Sequence, residues 1–464
     1  MNNRNKELVV NTLILGIGQF IPKLMTLIIL PILTMYLTTN EYGNYDLVLS
    51  LASFLIPILT LQIQQAVLRY LLSTLENDNK DKYVTSALYY VTASSVILLP
   101  IIFAILCVVR VRIAMSLSFC ILFFSETMYT LLGQIVRGLG QNTKFSIGVI
   151  IYAFVNMLLT ILFVTIWKQG LFGVVISLVL SYILTNLYYI YGSDMFKHIH
   201  RDAFSKYKLK ELLDFSIPIV PSSIALWVVN LSDRLVIIYF LGASSNGIYA
   251  VANKIPALYN SAYNIFNLAW TETASKVSDD GNPADYYSRM FRILFHFLIG
   301  IMLAMITCTP FIFRLLVKGS YGGAFFQVPI LYVGIFFNSF VSYYSGIYIA
   351  MKRTKEVGES SIAGALLNII INIILIKEIG LYAASISTAL SFAVIVLYRA
   401  YDLNKVINIK YNIKDITIGL LFFIVSSMML YYQSIWSTVI CLILAILYNL
   451  RYNLILIKKL FCMF

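Results

Sequence analysis

NLSDRLVIIYFLGASSNGIYAVANKIP, residues Asn230 to Pro256, decides how this chain is read. It begins as an apolar helix carrying the adjacent Asp233 and Arg234. It breaks at a short turn of Gly and Ser, then resumes as a second apolar helix that contains Lys254. The same unit occurs earlier, where Pro31–Leu49 reads PILTMYLTTNEYGNYDLVL. Leu37 matches Leu241, Gly43 matches Gly247 and Tyr45 matches Tyr249, all at one constant offset. A duplication of that length in a hydrophobic chain implies two homologous membrane halves, with charged groups inside them marking the pathway.

Composition agrees with that reading. Hydrophobic residues make up 60% of the 464 positions and charged residues only 12%, whereas a soluble domain carries about 25% charged residues. Apolar runs long enough to cross a bilayer recur along the whole chain, without the strict alternation of a membrane barrel. The net charge of +13 is what cytoplasmic loops of a membrane protein require, so nucleic acid is not an expected partner. The five cysteines lack CxxC spacing, and His198 and His200 stand in a basic loop with no Cys or carboxylate cluster. Neither a metal site nor a cofactor is expected. The first apolar stretch is too long for a signal peptide and lacks a small-residue cleavage motif, so it reads as the first span.

Fourteen spans are expected. In the first half they run at about 8–37, 44–71, 83–109, 113–136, 145–167 and 171–191. In the second they run at about 212–241, 247–270, 289–316, 325–350, 357–376 and 381–399, followed by 416–432 and 435–457. A turn is read at Asp280–Pro283. The repeat also closes each half: Gly170–Tyr182 is GLFGVVISLVLSY and Gly380–Phe392 is GLYAASISTALSF. Upstream of each lies an Asn in an apolar helix, Asn156 and Asn368, suited to interhelical hydrogen bonds. The expected fold is an all-α polytopic membrane protein of about fourteen transmembrane helices. Its domains are a six-helix lobe over 1–192, a basic linker over 193–211, a second six-helix lobe over 212–401, and two extra helices over 402–464. Six is even, so the repeat is parallel. Lys and Arg concentrate in alternate loops, among them Lys80 and Lys82, Arg137 and Lys144, Lys206 to Lys210, Lys352 to Lys355, and Lys405 to Lys414. That bias expects both termini in the cytoplasm and the Gly242–Asn246 turn outside. The linker either lies on the inner leaflet as a basic helix or simply joins the halves.

With these residues in view, the chain resembles the Wzx-type polysaccharide flippases of the multidrug/oligosaccharidyl-lipid/polysaccharide (MOP) exporter superfamily. The resemblance rests on Pro31–Leu51, on AVLRYL at Ala66–Leu71, on Asp233–Arg234, and on the Leu241-Gly242…Gly247-Ile248-Tyr249 turn. Met35 departs from it, since the family commonly has a basic residue there. The resemblance implies two six-helix lobes around a central cavity in a bacterial cytoplasmic membrane. It implies a substrate, an undecaprenyl-pyrophosphate-linked oligosaccharide repeat unit for O-antigen, capsule or exopolysaccharide, moved from the inner to the outer leaflet by alternating access. Glycosyltransferases and a polysaccharide polymerase would be its working partners. Two pseudo-symmetric lobes suffice as a monomer.

An anionic lipid entering the membrane needs fixed cations, so the intramembrane charges are the candidate site. Lys23 lies mid-span beside Pro22, and its role is substrate contact or a pair with Glu126. Glu126 is either a coupling group or that counter-ion. Asp233 and Arg234 point about 100° apart on a helix. Lys254 either neutralises Asp233, freeing Arg234 for the ligand, or all three form a structural network. Arg69 and Arg137 sit near cytoplasmic helix ends, where they snorkel to lipid phosphate or recruit the substrate pyrophosphate. Substrate binding is thus expected of Lys23, Arg69, Arg234 and Lys254, with Glu126 and Asp233 as coupling or structural charges. The tyrosines and phenylalanines are read partly as interfacial belts, with cavity-facing tyrosines available to stack on sugars. A membrane polymerase or acyltransferase is disfavoured by the short outer loops and by three histidines without a carboxylate partner in sequence context. A cation-coupled drug exporter would want a carboxylate in the first span, which holds Lys23 instead. A peptidoglycan-precursor flippase remains an alternative.

Overall fold

Long apolar segments, punctuated by Gly and by Ser or Thr caps, fold into helices because the bilayer core leaves backbone groups no other partner. The computed structural model describes residues 3–74, 76–277, 283–351 and 353–454. The expected turn at Asp280–Asn282, Lys352 and the last residues of the fourteenth span lie outside these. Sixteen α-helices are described, and no strand occurs among the described residues. In unit 1 they are α1 (Asn3–Tyr36), α2 (Thr39–Thr60), α3 (Ile63–Ser73), α4 (Asn77–Val108), α5 (Ile113–Gly138), α6 (Asn142–Thr160), α7 (Gly170–Leu187), α8 (Lys206–Ser216) and the start of α9 (Val220–Leu241). Unit 2 holds α10 (Ala243–Val277), α11 (Pro283–Leu316), α12 (Val328–Ala350), α13 (Thr354–Ile379), α14 (Tyr382–Asn404), α15 (Ile413–Leu430) and α16 (Ile435–Tyr452). The two compact units are residues 1–234 and 235–464, and the division falls within α9. Among the described residues, eleven helices are long and apolar enough to cross a membrane, with Phe20–Tyr36 of α1 a shorter apolar helix. The chain is an all-α polytopic membrane protein.

Each expected span has its helix, and α3 and α8 are the additions. The second span corrects the sequence reading. It was expected as one helix over 44–71, but Leu61 and Gln62 both adopt left-handed φ (44° and 59°) and separate α2 from α3. The 22 residues of α2 already cover about 33 Å, enough for a bilayer core of about 30 Å. The break therefore falls at the end of the span, where Gln62 N–H donates to Thr60 Oγ1 and Gln64 Nε2 to Gln62 Oε1. α3 then packs on α4, α5 and α8 through Ile63, Val67, Leu71, Val84, Leu131, Ile135 and Leu212. A second core joins α2, α5 and α7 through Val48, Ala52, Phe119, Leu122, Val175 and Leu178.

The segments that the repeat aligns meet breaks between helices. Thr38 caps α2 in a reciprocal box: Glu41 N–H donates to Thr38 Oγ1 and Thr38 N–H to Glu41 Oε2. The corresponding break before α10 is Gly242, at φ 84°. Gly170 (φ 53°) and Gly380 (φ 58°) open the matched terminal segments, each at a positive φ that glycine adopts without a Cβ clash. At Gly170 a Cβ would also lie 2.5 Å from Glu41 Oε1, whose carboxylate accepts from Leu171 N–H.

The stretch read as a linker is docked on unit 1. Two short 3₁₀ turns, Met195–His198 and Arg201–Ala203, lead into α8. His198 Nδ1 meets Asp81 Oδ1 at 2.6 Å, Ser205 N–H donates to Ser86 Oγ, and Tyr83 donates to Glu211. Lys208 donates to the Tyr83 hydroxyl and to Glu211. The bond to Tyr83 raises the Lys208 ammonium above the ordinary lysine value, and Glu211 adds to it. His198 thus has a carboxylate partner that its sequence context did not offer, because Asp81 lies on α4, far from it in sequence.

Aromatic residues in unit 2 fill the interior more than the expected belts would. Tyr332, Tyr343, Tyr344 and Tyr348 of α12 are fully buried. Their hydroxyls reach Thr309, the Tyr287 carbonyl, Tyr411 and Asp402 respectively. Trp270 Nε1 donates to the Tyr343 carbonyl. A ring with a satisfied polar tip supplies buried area without an orphaned donor.

Candidate functional site

Among the described residues of unit 1, the candidate charges include an ion pair, an aromatic-lined carboxyl and two exposed cations. Arg234, near the end of the unit on α9, donates from Nε to Asp46 Oδ2 at 2.8 Å. Both side chains are largely removed from solvent, at 17% and 9% exposure. Arg234 therefore has a carboxylate partner that the sequence reading did not give it. Asp46 stands inside the quoted Pro31–Leu49 stretch, one residue after Tyr45, yet nothing in its local pattern distinguishes it from a loop-edge carboxylate. Asp233 is buried on α9, consistent with neighbouring residues facing different sides of a helix. Lys254 is half-buried on α10 of unit 2.

Glu126 on α5 has no ion pair with Lys23 among the described residues, so its reading as that counter-ion is corrected. Its surroundings are aromatic. Tyr182 faces it, and Tyr45, Tyr129 and Tyr152 lie within electrostatic reach. Tyr152 stacks on Tyr182 with ring centroids 4.6 Å apart, and their hydroxyls meet at 3.2 Å. Tyr129 packs against both rings and against Tyr189. Glu126 Oε2 is buried and accepts no hydrogen bond among the described residues.

Lys23 on α1 and Arg69 on α3 are exposed, and neither makes an ion pair among the described residues. Arg137 donates to Gln134 and lies over the Phe145 ring. Asn368 bridges to Ser387 and Thr388 across α13 and α14, the interhelical bond expected of it. Asn156 Oδ1, its counterpart, is buried with no hydrogen-bond partner among the described residues. Arg399 escaped the sequence reading altogether. It is fully buried on α14 and donates five hydrogen bonds to α12 and α13: to Ser345, Ser360 and Ser361, and to the Val341 and Val357 carbonyls. At the end of an apolar segment it looks like any snorkelling cation.

The fold and these charges define a polytopic membrane protein with polar side chains held inside two helix bundles. Residues 8–278 match the family described as polysaccharide biosynthesis protein, and the chain belongs to that family. No curated protein sequence matches. Among solved structures, the inward closed lipid II flippase MurJ is similar at a TM-score of 0.74 and 18% identity, over 96% of this chain and 99% of that one. An inward-facing multidrug resistance MATE transporter of the MOP superfamily is similar at 0.66 and 15%, over 84% and 98%. A MOP superfamily transporter from Pyrococcus furiosus follows at 0.55 and 15%, over 85% and 95%. The fold is the one that these solved transporters share.

Proposed function

We propose that this protein is a Wzx-type flippase. It moves an undecaprenyl-pyrophosphate-linked oligosaccharide repeat unit from the inner to the outer leaflet of the cytoplasmic membrane, by alternating access, for surface polysaccharide synthesis. The observation that carries this reading is the family match, which takes in more than half of the chain. The whole-length likeness to a flippase of a lipid-linked sugar supports it. The work is transport rather than catalysis. Lys23 and Arg69 are exposed cations suited to an anionic lipid head, with Arg234 and Lys254 as further contacts of the substrate. Glu126 and its tyrosines are suited to coupling or to sugar stacking, and Asp233 to a structural charge.

The test is surface polysaccharide in a flippase-deficient host, normalised to membrane abundance of the protein. Restoration is expected, and Lys23→Ala combined with Arg69→Ala should lower output about tenfold, the loss of roughly 1.4 kcal/mol of differential stabilisation, with abundance unchanged. The likeness to the lipid II flippase favours a second arm, rescue of a host depleted of its peptidoglycan-precursor flippase. Rescue there without polysaccharide output would replace the proposed substrate by lipid II.

Orientation follows from the loop cations, with both termini in the cytoplasm. Ser244 and Lys355 are exposed on opposite sides of that scheme. In a cysteine-free background, an impermeant thiol reagent added to whole cells should label Ser244→Cys and leave Lys355→Cys unlabelled. The reverse pattern would invert the topology.

A further inference from the structure

Unit 2 contains a cavity of about 350 Å³ that the proposed transport does not use. It lies between the first turns of α11 and the segment that leads into α15, and α11 packs on both α15 and α16. Arg289, Arg292 and Lys410 line it, with Asp415 the one carboxylate on its wall. Arg292 stands 3.6 Å from Asp415, and Lys410 stands 3.8 Å from Asp285. Arg289 has no carboxylate partner among the described residues and lies over the Tyr286 ring. The lining therefore carries an excess of positive charge.

The floor of the cavity supplies a separate observation. His296 is only 5% exposed. Its Nδ1 is engaged by the Tyr448 hydroxyl at 2.7 Å, and its ring stacks on Tyr452 at 4.3 Å. His296 lines the cavity, and its buried Nε2 has no hydrogen-bond partner among the described residues, its ion-pair contact with Asp415 Oδ2 being 3.8 Å long. A buried polar atom is almost always paired, so this nitrogen points to a missing group. Phe291, Phe295 and Ile416 give the same cavity an apolar wall.

Depth fixes the kind of ligand. The 34 residues of α11 span about 51 Å, well beyond a hydrocarbon core of about 30 Å. Asp285, Arg289 and Arg292 all precede its apolar run, so the excess length falls at that end and brings the first turns to headgroup level, beside the start of the 18-residue α15. Two guanidinium forks, an ammonium and an imidazole beside an apolar wall match a phosphate ester at that depth.

We propose that this cavity binds the phosphate of an anionic lipid headgroup, with Arg289 and Arg292 gripping its oxygens, Lys410 at the rim and His296 Nε2 at the floor. The site is separate from the flippase reading and stands without it.

The experiment uses the purified full-length protein in detergent, with dioctanoyl phosphatidylglycerol, dioctanoylglycerol and inorganic phosphate as probes. Retained lipid is counted by native mass spectrometry, and fold is checked by monodispersity. The charged lipid should bind at least tenfold more tightly to the wild type than to the Arg289→Gln/Arg292→Gln variant. Arg314→Gln/Lys318→Gln, at the other end of α11, should bind like the wild type. His296→Phe keeps the ring stack and should lose about threefold, roughly 0.65 kcal/mol. Displacement of the lipid by millimolar phosphate would assign recognition to the phosphate alone. Failure to displace it would assign it to headgroup and chain together, and both outcomes support the site. Should the double variant not fold, Lys410→Gln replaces it, with a weaker salt dependence of binding expected. Equal binding of dioctanoylglycerol, wild-type retention in the variants, or an equal loss in the control would overturn the proposal.

Discussion

Asp46→Asn is expected to lower the membrane abundance of the protein several-fold and to bring its thermal unfolding down sharply. The carboxylate of Asp46 is the partner of a guanidinium that is 17% exposed, at 2.8 Å. Removing one member of such a pair takes a charged partner from the other, and breaking pairs of this kind costs about 3–5 kcal/mol. Replacing both members is a different matter. Asp46→Asn combined with Arg234→Gln leaves no charge to desolvate, and two amides of similar size can still bond. The double variant should therefore recover most of the lost abundance. Fluorescence-detected size exclusion with a heating series reads both quantities. An Asp46→Asn protein as stable as the wild type would show that Arg234 does not depend on this carboxylate. A stable double variant that no longer exports glycan would give the pair a transport role beyond its structural one.

Arg399 offers the second large effect, and the order of variants is the point. Arg399→Lys is expected to be worse than Arg399→Met. The guanidinium spans five acceptors on two neighbouring helices at 2.5–3.0 Å. An ammonium keeps the buried charge but offers three donors from a single nitrogen, so it cannot reach the same set. Losing two charge-assisted bonds costs about 3–6 kcal/mol at 1.5–3 kcal/mol each. Methionine loses the bonds but also removes the charge. The acceptors it abandons are already partly served, since Ser345, Ser360 and Ser361 donate to carbonyls of their own helices. Its cost should be about 1–3 kcal/mol, the penalty for buried groups left unsatisfied. Thermal unfolding of the three proteins, at matched detergent and salt, checks the ranking. A lysine variant more stable than the methionine variant would mean that charge, rather than the reach of the fork, holds α14 to α12 and α13.

What the chain reveals unaided differs from what its packing decides. Hydrophobic length is a local property, so every expected span has its helix, and the glycines at the matched positions 170 and 380 both take positive φ. The cap at Thr38 and the break at Gly242 are likewise written in a few adjacent residues. The interruption at Leu61 and Gln62 was not legible, because neither residue favours a left-handed backbone. Only the packing of α3 on α5 and α8 makes that bend worthwhile. Charge partners are harder still. Lys23 and Glu126 were natural mates by depth, yet Glu126 faces Tyr182 and Lys23 stands exposed. Arg234 finds Asp46, and His198 finds Asp81, each on a helix distant in sequence. Residue type and depth say that an intramembrane charge must be satisfied. They do not say by which group, because the partner is chosen by helix rotation and register. The sequence thus determined the helical membrane architecture, through hydrophobic length and backbone conformation. The identity of each ion pair, the aromatic setting of Glu126 and the inward turn of Arg399 were decided only in the tertiary structure, where distant faces meet.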